Sequence, residues 1–247
     1  MSITNTVKDR RSAMSLALFA IVLLFAGLAA KKIAAQKIEL DYNFRNGALA
    51  WTTDFANYPP ATNQGGFYQL DSGIRYAPRK LTRVPIRAFL IEGSSHSASL
   101  MMFLKRRLTS ADGIVAGRTY RLEYDMKLAS NAASGCVGIG SPPGEGVFLR
   151  AGGSPLEPIP VLEPNGWLRV NIDLLTMTSA AGDIANGIDC EVAYPFFPYA
   201  YIDRLVQHPQ VTASPNGDLW LFVATQSGFE GHTRLYYQRI SVRLVPV

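Results

Sequence analysis

The stretch TYRLEYDMKL, residues Thr119–Leu128, decides the fold class, because its apolar and polar side chains alternate without a break. A period of two residues is the pattern of a β-strand with one buried face and one face in water. The same period recurs near the end of the chain. There the sequence predicts one face made of Tyr236, Gln238, Ile240, Val242 and Leu244, and an opposite face made of Tyr237, Arg239, Ser241 and Arg243.

Short β-type runs of this kind fill the chain from residue 38 onward, separated by Gly, Pro and Asn. Such a pattern is typical of an all-β sandwich or barrel, and we predict an antiparallel β-sandwich, jelly-roll-like, over residues 38–247. The stretch Leu174–Pro215 has little β pattern and is predicted to be a long excursion. The predicted strands are Ile38–Phe44, Ala88–Ile91, Leu100–Leu108, Thr119–Leu128, Cys136–Ile139, Gly146–Arg150, Trp167–Leu174, Leu219–Thr225 and Leu235–Leu244.

An apolar run, Ala13–Ala30, precedes this domain. As a helix it would extend roughly 27 Å, enough to cross a thin hydrocarbon core. We therefore divide the N-terminal part into a short basic leader, residues 1–12, and a transmembrane signal-anchor helix, residues 13–37. A cleaved signal peptide is the alternative, but Lys31 and Lys32 follow the run directly, where cleaved signals usually avoid positive charge.

The formal net charge of +5 belongs to the N-terminal segment, because residues 1–37 carry six basic side chains and one acid. The rest of the chain is balanced, with eighteen basic and eighteen acidic residues. A nucleic-acid partner would need a basic face on the folded part, so the sequence gives no support for one. The basic flanks of the apolar run instead favour contact with anionic lipid headgroups.

The two cysteines, Cys136 and Cys190, are compatible with one disulfide in an oxidising compartment. Two buried free thiols in a reducing compartment are the alternative. The charge flanking the apolar run is nearly symmetric and does not fix the orientation. The cysteine pair and the strand-rich composition favour a single-pass, N-in anchor with a periplasmic or extracellular domain.

The run YPFFPYAY, residues 194–201, is the most prominent candidate contact surface. Aromatic side chains are enriched at protein interfaces, and they also stack on sugar rings. Folding back over the edge of the core is the alternative, since a loop that exposes all five rings to water would be prone to aggregation. The five candidate residues are Tyr194, Phe196, Phe197, Tyr199 and Tyr201.

A second aromatic group lies between residues 51 and 68, beside Asp54 and Asn57. A carbohydrate site needs an apolar platform for the sugar face and polar groups for the hydroxyls, and this combination supplies both. Packing of Trp51 in the core is the alternative that we favour. The candidate platform residues are Trp51, Tyr58 and Tyr68.

Signals for catalysis and metal binding are weak. The histidines lack zinc-ligand spacing and an evident carboxylate partner, and the stretch Ser94–Ser97 lacks the context of a hydrolase nucleophile. We therefore predict no catalytic residues and no cofactor. The one metal alternative is calcium, because DIANGID offers oxygen ligands from Asp183, Asn186 and Asp189, although the spacing departs from that of an EF-hand loop.

Three stretches carry a resemblance: DYNFRNGALAWTTDFANYP from Asp41, SGCVGIGSPPGEGVFLRAG from Ser134 and DLWLFVATQSGFEGHTRLYYQRISV from Asp218. Together they resemble a group of uncharacterised bacterial exported proteins, and the resemblance spans most of residues 39–247. It implies an exported β-sandwich and no activity. More loosely, the first and last strands resemble those of jelly-roll carbohydrate-binding modules, an architecture that hosts many functions.

These observations lead to three functional hypotheses. The first is a non-catalytic, membrane-anchored accessory subunit that docks on a larger integral-membrane protein complex and contacts lipid through its anchor. The second is a carbohydrate-binding module held at the cell surface or in the periplasm. The third is a hydrolase, for which the sequence supplies no set of residues with a defined reaction.

Overall fold

The computed structural model describes residues 36–81 and 84–247. The leader and nearly all of the predicted anchor lie outside the described residues, so the prediction of a transmembrane helix stays a prediction. Within the described part of the chain, no helix has the length and apolar character needed to cross a bilayer.

The described domain contains thirteen strands, two one-turn α-helices and five short 3-10 helices. The strands are β1 Ile38–Asn43, β2 Thr52–Ala56, β3 Asp71–Tyr76, β4 Arg87–Ser94, β5 Met101–Leu108, β6 Thr119–Ser130, β7 Val147–Ser154, β8 Pro160–Leu162, β9 Leu168–Val170, β10 Thr178–Asp183, β11 Ala200–Thr212, β12 Leu219–Ser227 and β13 His232–Pro246. The helices are α1 Leu174–Met177 and α2 Cys190–Ala193.

The strands form two antiparallel sheets, as expected for a β-sandwich. Sheet A has the strand order β11-β6-β13-β4-β3, and β1 pairs with the C-terminal half of β13. Sheet B has the order β10-β7-β12-β5-β2, and β8 pairs with β9 in a small hairpin. The main core contains apolar side chains from both sheets, including Leu122 and Tyr124 of β6 and Leu104 of β5. The predicted all-β, antiparallel fold is thus confirmed.

The alternation that predicted β6 is present in the structure. Tyr120, Leu122 and Tyr124 are buried, and the residues between them face outward. In β13 the predicted alternation is wrong in its first half, because Tyr237 is fully buried and Tyr236 is only partly so. The inward-facing residues have odd numbers up to Tyr237 and even numbers from Ile240 onward. This shift of one residue occurs where β13 changes its partner from β4 to β1.

The region predicted to be an excursion contains the largest error in the strand prediction. Residues 200–212 form β11, a strand of thirteen residues that pairs along nearly the whole of β6. The converse error occurs at Cys136–Ile139, which is a loop and not a strand. The predicted strand Trp167–Leu174 is reduced to the three residues of β9 and is followed by α1.

The predicted disulfide between Cys136 and Cys190 is present, with the two Cα atoms 5.1 Å apart. It joins the loop after β6 to α2 across a sequence separation of 54 residues. Phe197 packs against this pair together with Ala133 and Ala193. The bridge thereby fixes two long loops at the end of sheet A where Ser130 lies. Ile38 lies toward the opposite end, because it pairs with Leu244 of β13, and Val247 just after that strand donates to the carbonyl of Thr119 at the start of β6. The twelve-residue strand β6 extends roughly 40 Å.

Candidate functional site

The two outer faces of the sandwich differ, and this difference locates the candidate site. The outer face of sheet B is covered by the segment that contains β9 and α1. A second apolar cluster fills the space between this segment and the sheet, and Phe103 and Phe222 are fully buried in it beside Ile172. Burial of each large side chain of this kind contributes about 2 kcal/mol. On the outer face of sheet A, none of residues 36–81 and 84–247 forms such a cover over β1, β13, β6 and β11.

A groove of about 560 Å³ lies on this open face. It crosses four neighbouring strands, so a rigid sheet positions its side chains. Its floor is polar and charged, with Leu205 as an apolar side chain that is 75% exposed. The side chains that line the groove and face outward are Glu39, Asp41, Glu123, Asp125, Leu205, Gln207, Arg239, Ser241 and Arg243.

Cross-strand contacts hold the charged groups of the groove. Arg239 of β13 donates to Asp125 of β6 at 2.9 Å. Arg243 donates to Glu123 at 3.1 Å and also lies 3.3 Å from the carboxylate of Glu39. These side chains are partly exposed, so each pair contributes little to stability, but together they fix the orientation of the groups that a ligand would meet.

Beyond the groove, toward the Ser130 end of sheet A, the same face carries aromatic rings. Tyr199 packs edge-on against Tyr236, with ring centroids 5.5 Å apart. Burial, together with the neighbouring Tyr236, raises the pKa of Tyr199 to about 12, so the phenol stays neutral in the physiological range. Tyr201 lies under the ammonium group of Lys127, which is 5.1 Å from the ring centroid.

A buried carboxylate, Glu92, lies next to these rings. It accepts hydrogen bonds from His232 at 3.0 Å and from Arg234. The other ring nitrogen of His232 lies 3.0 Å from the hydroxyl of Ser94. The sequence analysis missed this carboxylate partner of His232, because it arises only from the pairing of β4 with β13. Ser94 is only 5% exposed, so its hydroxyl meets little solvent.

The residues of YPFFPYAY separate into two groups. Tyr194 and Phe196 are exposed, at 71% and 81%, whereas the other three rings are partly covered. Phe197 packs at the disulfide, and Tyr199 and Tyr201 belong to the outer face of sheet A. The two loops that the disulfide joins carry further exposed apolar side chains, and we call the set Val137, Ile139, Val192, Tyr194 and Phe196 the apolar tip.

The second aromatic group lies in the core. Trp51 is 2% exposed and packs edge-on against Tyr42 and Phe44. Tyr58 and Tyr68 are also buried, with their ring centroids 4.9 Å apart. Covered rings cannot serve as a platform for a sugar. The structure thus places Trp51 in the core, as the sequence favoured, and places the candidate platform residues Tyr58 and Tyr68 there as well.

The predicted calcium ligands already take part in other contacts. Asp183 forms an ion pair with Arg204 at 3.2 Å, and Asp189 accepts the backbone N–H of Glu191 at the start of α2. Asn186 donates to two backbone carbonyls and so holds its loop in place. Within residues 36–81 and 84–247, no three His, Cys, Asp or Glu side chains are grouped as a metal site requires. Calcium binding stays a prediction.

The residues that line the groove were not singled out from the sequence. Their signal was present in the alternation of β6 and β13, whose outward residues include Glu123, Asp125, Arg239 and Arg243. Which of these residues meet across strands depends on register, and β11, which supplies Leu205 and Gln207, was not predicted at all.

No protein-family model matches the chain, and no curated protein matches it. Solved structures with a related arrangement of strands include jelly-roll carbohydrate-binding modules at low identity. One is TmCBM61 in complex with β-1,4-galactotriose, which is 11% identical, covers 81% of this chain and 92% of its own, and has a TM-score of 0.34.

Two further structures belong to family 22. The CBM22-1 xylan-binding domain of Paenibacillus barcinonensis Xyn10C is 12% identical, with coverage of 87% of this chain and 97% of its own and a TM-score of 0.37. The C-terminal family 22 module of Clostridium thermocellum Xyn10B is 13% identical, with coverage of 86% and 94% and a TM-score of 0.38. Similarity at these values carries no argument about function.

Proposed function

We propose that this protein is a non-catalytic glycan-binding module that takes an oligosaccharide in the groove on the outer face of sheet A. The observation that carries this proposal is the groove, which is open, about 560 Å³ in volume and lined by side chains from four adjacent strands. That volume lies within the range of small-molecule sites, roughly 300–1,000 Å³.

The chemistry of the lining suits sugar hydroxyls. Carboxylates accept hydrogen bonds, guanidinium groups donate them, and the amide of Gln207 does both. The exposed side chain of Leu205 offers an apolar surface to the C–H face of a sugar ring. Since the ion pairs across β6 and β13 fix these groups before a ligand arrives, binding has little side-chain ordering to overcome.

The proposed location follows from the disulfide. A bond between Cys136 and Cys190 persists in an oxidising compartment, which supports a periplasmic or extracellular domain. A single-pass anchor formed by residues 13–37 would hold such a domain at a membrane. Intact mass of the native protein from solubilised membranes tests the anchor, because a cleaved signal peptide would remove that segment.

A screen of immobilised oligosaccharides with the full-length protein in mild detergent tests the function. We expect retention on at least one glycan class, and we expect Gln207→Ala to weaken it by roughly tenfold, since two or more hydrogen bonds are lost. Gln226→Ala is the matched control, because Gln226 is also exposed but lies on sheet B. Absence of retention on every glycan, or equal losses for both variants, would refute the proposal.

A second function, docking on a membrane protein complex, is favoured by the apolar tip. Val137 is 97% exposed and Val192 is 78% exposed, although the disulfide holds their loops in place. Rigid exposed apolar side chains of this kind often mark protein interfaces. Gentle membrane extraction followed by size-exclusion chromatography tests this function: a stoichiometric companion that is lost on Phe196→Ser would support it, and a chain that migrates alone would oppose it.

A further inference from the structure

The groove carries more negative than positive charge. Four carboxylates line it, from Glu39, Asp41, Glu123 and Asp125, against the two guanidinium groups of Arg239 and Arg243. A cleft lined mainly by one sign of charge concentrates ligands of the opposite sign. The domain as a whole is close to neutral, so the excess negative charge is a local property of the groove.

Both guanidinium groups of the groove are already engaged. Arg243 lies between two carboxylates, at 3.1 Å from Glu123 and 3.3 Å from Glu39. Arg239 is paired with Asp125 at 2.9 Å. An anionic ligand that approached either cation would also lie beside the carboxylate that is already paired with it, and would be repelled by that charge.

Asp41 differs from the other three acids. Its neighbour in register on β13 is Ser241, whose hydroxyl donates to the carboxylate of Asp41. Among the described residues, Asp41 takes part in no ion pair, and its hydrogen-bond partner Ser241 is a neutral hydroxyl group. This carboxylate lies on β1, at the side of the groove opposite Leu205 and Gln207 of β11.

We infer that the groove selects oligosaccharides that carry a protonated primary amine, as in de-N-acetylated amino-sugar polymers, and disfavours those that carry uronic acids. The inference rests on the proposed glycan-binding function. The ammonium group, with its three donors, would supply the cation that Asp41 lacks, while Gln207 and Ser241 meet ring hydroxyls. Neutral sugars would retain only the hydroxyl contacts.

The test uses titration calorimetry on the full-length protein in mild detergent with four hexasaccharides: glucosamine, N-acetylglucosamine, glucose and galacturonic acid. We expect the glucosamine hexamer to bind at least roughly tenfold more tightly than either neutral hexamer, because a charge-assisted hydrogen bond is added. The galacturonic acid hexamer should bind most weakly. The preference should shrink as the salt concentration rises, since the groove is open to solvent.

Two variants assign the effect to Asp41. Asp41→Asn keeps the size of the side chain and an acceptor for Ser241, and we expect it to weaken binding of the glucosamine hexamer roughly tenfold and binding of the neutral hexamers by much less, because the amide oxygen still accepts from hydroxyl groups. Asp203→Asn is the matched control, because Asp203 is an exposed acid of β11 on the same face but outside the groove lining. Equal unfolding midpoints for the two variants show that both are folded.

Each remaining outcome is decisive. Equal or tighter binding of a neutral or acidic hexamer would overturn the amine preference and leave glycan binding intact. Equal losses in both variants would overturn the role of Asp41, since only the net charge would then matter. Failure of every hexamer to bind, with no retention on any glycan of the immobilised screen, would overturn the inference together with the proposed function. Failure of every hexamer with retention on a different glycan class would overturn the inference alone.

Discussion

The ammonium group of Lys105 on β5 lies 2.9 Å from the carboxylate of Asp54 on β2, and its side chain is only 6% exposed. The same group lies 2.8 Å from Glu157 and donates to the carbonyl of Pro158. Burial alone would lower the pKa of Lys105, but the hydrogen bonds to Glu157 and Asp54 outweigh it and raise the pKa. Through Glu157 and Pro158, Lys105 thereby holds the start of the segment that covers sheet B against β5.

Lys105→Met should lower the free energy of unfolding by about 2 kcal/mol, because it removes a buried cation and leaves two carboxylates without their partner. Urea denaturation measures this loss. Arg107→Met is the matched control on the same strand, since Arg107 pairs with Asp218 at the surface and should cost about 0.5 kcal/mol. Equal costs for the two variants would contradict a special role for Lys105.

The disulfide should contribute about 4 kcal/mol to stability on the chain-entropy model, given its sequence separation of 54 residues. We expect a reducing agent to lower the denaturation midpoint of the native protein substantially. The double variant Cys136→Ser with Cys190→Ser should start from the lower midpoint and show no response to the reductant. A native midpoint that is insensitive to reduction would argue against this contribution.

Because Gly152 of β7 has no side chain, the backbone at the end of α1 packs directly against the backbone of β7, which any other amino acid at position 152 would prevent. A Cβ atom at this position would lie 2.0 Å from the carbonyl oxygen of Met177, at the end of α1. Gly152→Ala should therefore destabilise the domain by more than about 2 kcal/mol, since the backbone must move. Gly187→Ala is the comparison, because nothing lies within 4 Å of its Cβ position and only the strain of its φ of +79° remains, about 1 kcal/mol. In thermal unfolding, Gly152→Ala should lower the midpoint temperature more than Gly187→Ala does.

Because His208 is buried, we expect acid to lower the stability of the fold. Burial lowers the pKa of its imidazole below the ordinary value of 6.5. As the pH falls below about 6.5, the unfolded chain therefore binds more protons than the folded chain, and the free energy of unfolding should decrease. Above that pH, His208 should make the free energy of unfolding no more dependent on pH. His208→Gln should reduce the loss of stability between pH 7.5 and pH 5.5.

His96→Gln is the control for this measurement, because His96 lies at the surface and stacks on Phe67. Urea titrations of the three proteins at the two pH values give the comparison. If the pH dependence of the His208 variant equalled that of the native protein, another group would be responsible.

The sequence predicted those elements whose own alternation was uninterrupted, and β6 is the best example. In β11 the alternation of apolar and polar residues was interrupted by Pro209. The pairing register of β11 with β6 also shifts between His208 and Val211. A proline in a strand is tolerated at such an irregularity or at a sheet edge, and β11 is an edge strand. Its exposed Leu205 obscured the pattern further.

The loop Cys136–Ile139 shows the opposite failure. Its alternation of apolar residues and glycine has the appearance of a strand, yet Val137 and Ile139 are exposed and Gly138 packs against Phe229. Local pattern cannot distinguish a buried apolar side chain from one that a rigid loop presents to solvent. That distinction depends on the disulfide and on contacts with segments that are distant in sequence.

The sequence by itself determined the all-β class, the balanced charge of the domain and the cysteine pair, because each of these follows from residue types or from neighbours within a few positions. Only the tertiary structure decided that Asp41 faces Ser241, that Arg239 meets Asp125, and that the segment containing β9 and α1 covers sheet B. The physical reason is that the partners of a strand come from distant parts of the chain. Their order and register follow from packing of the whole core, and the candidate site exists only where that packing brings four strands together.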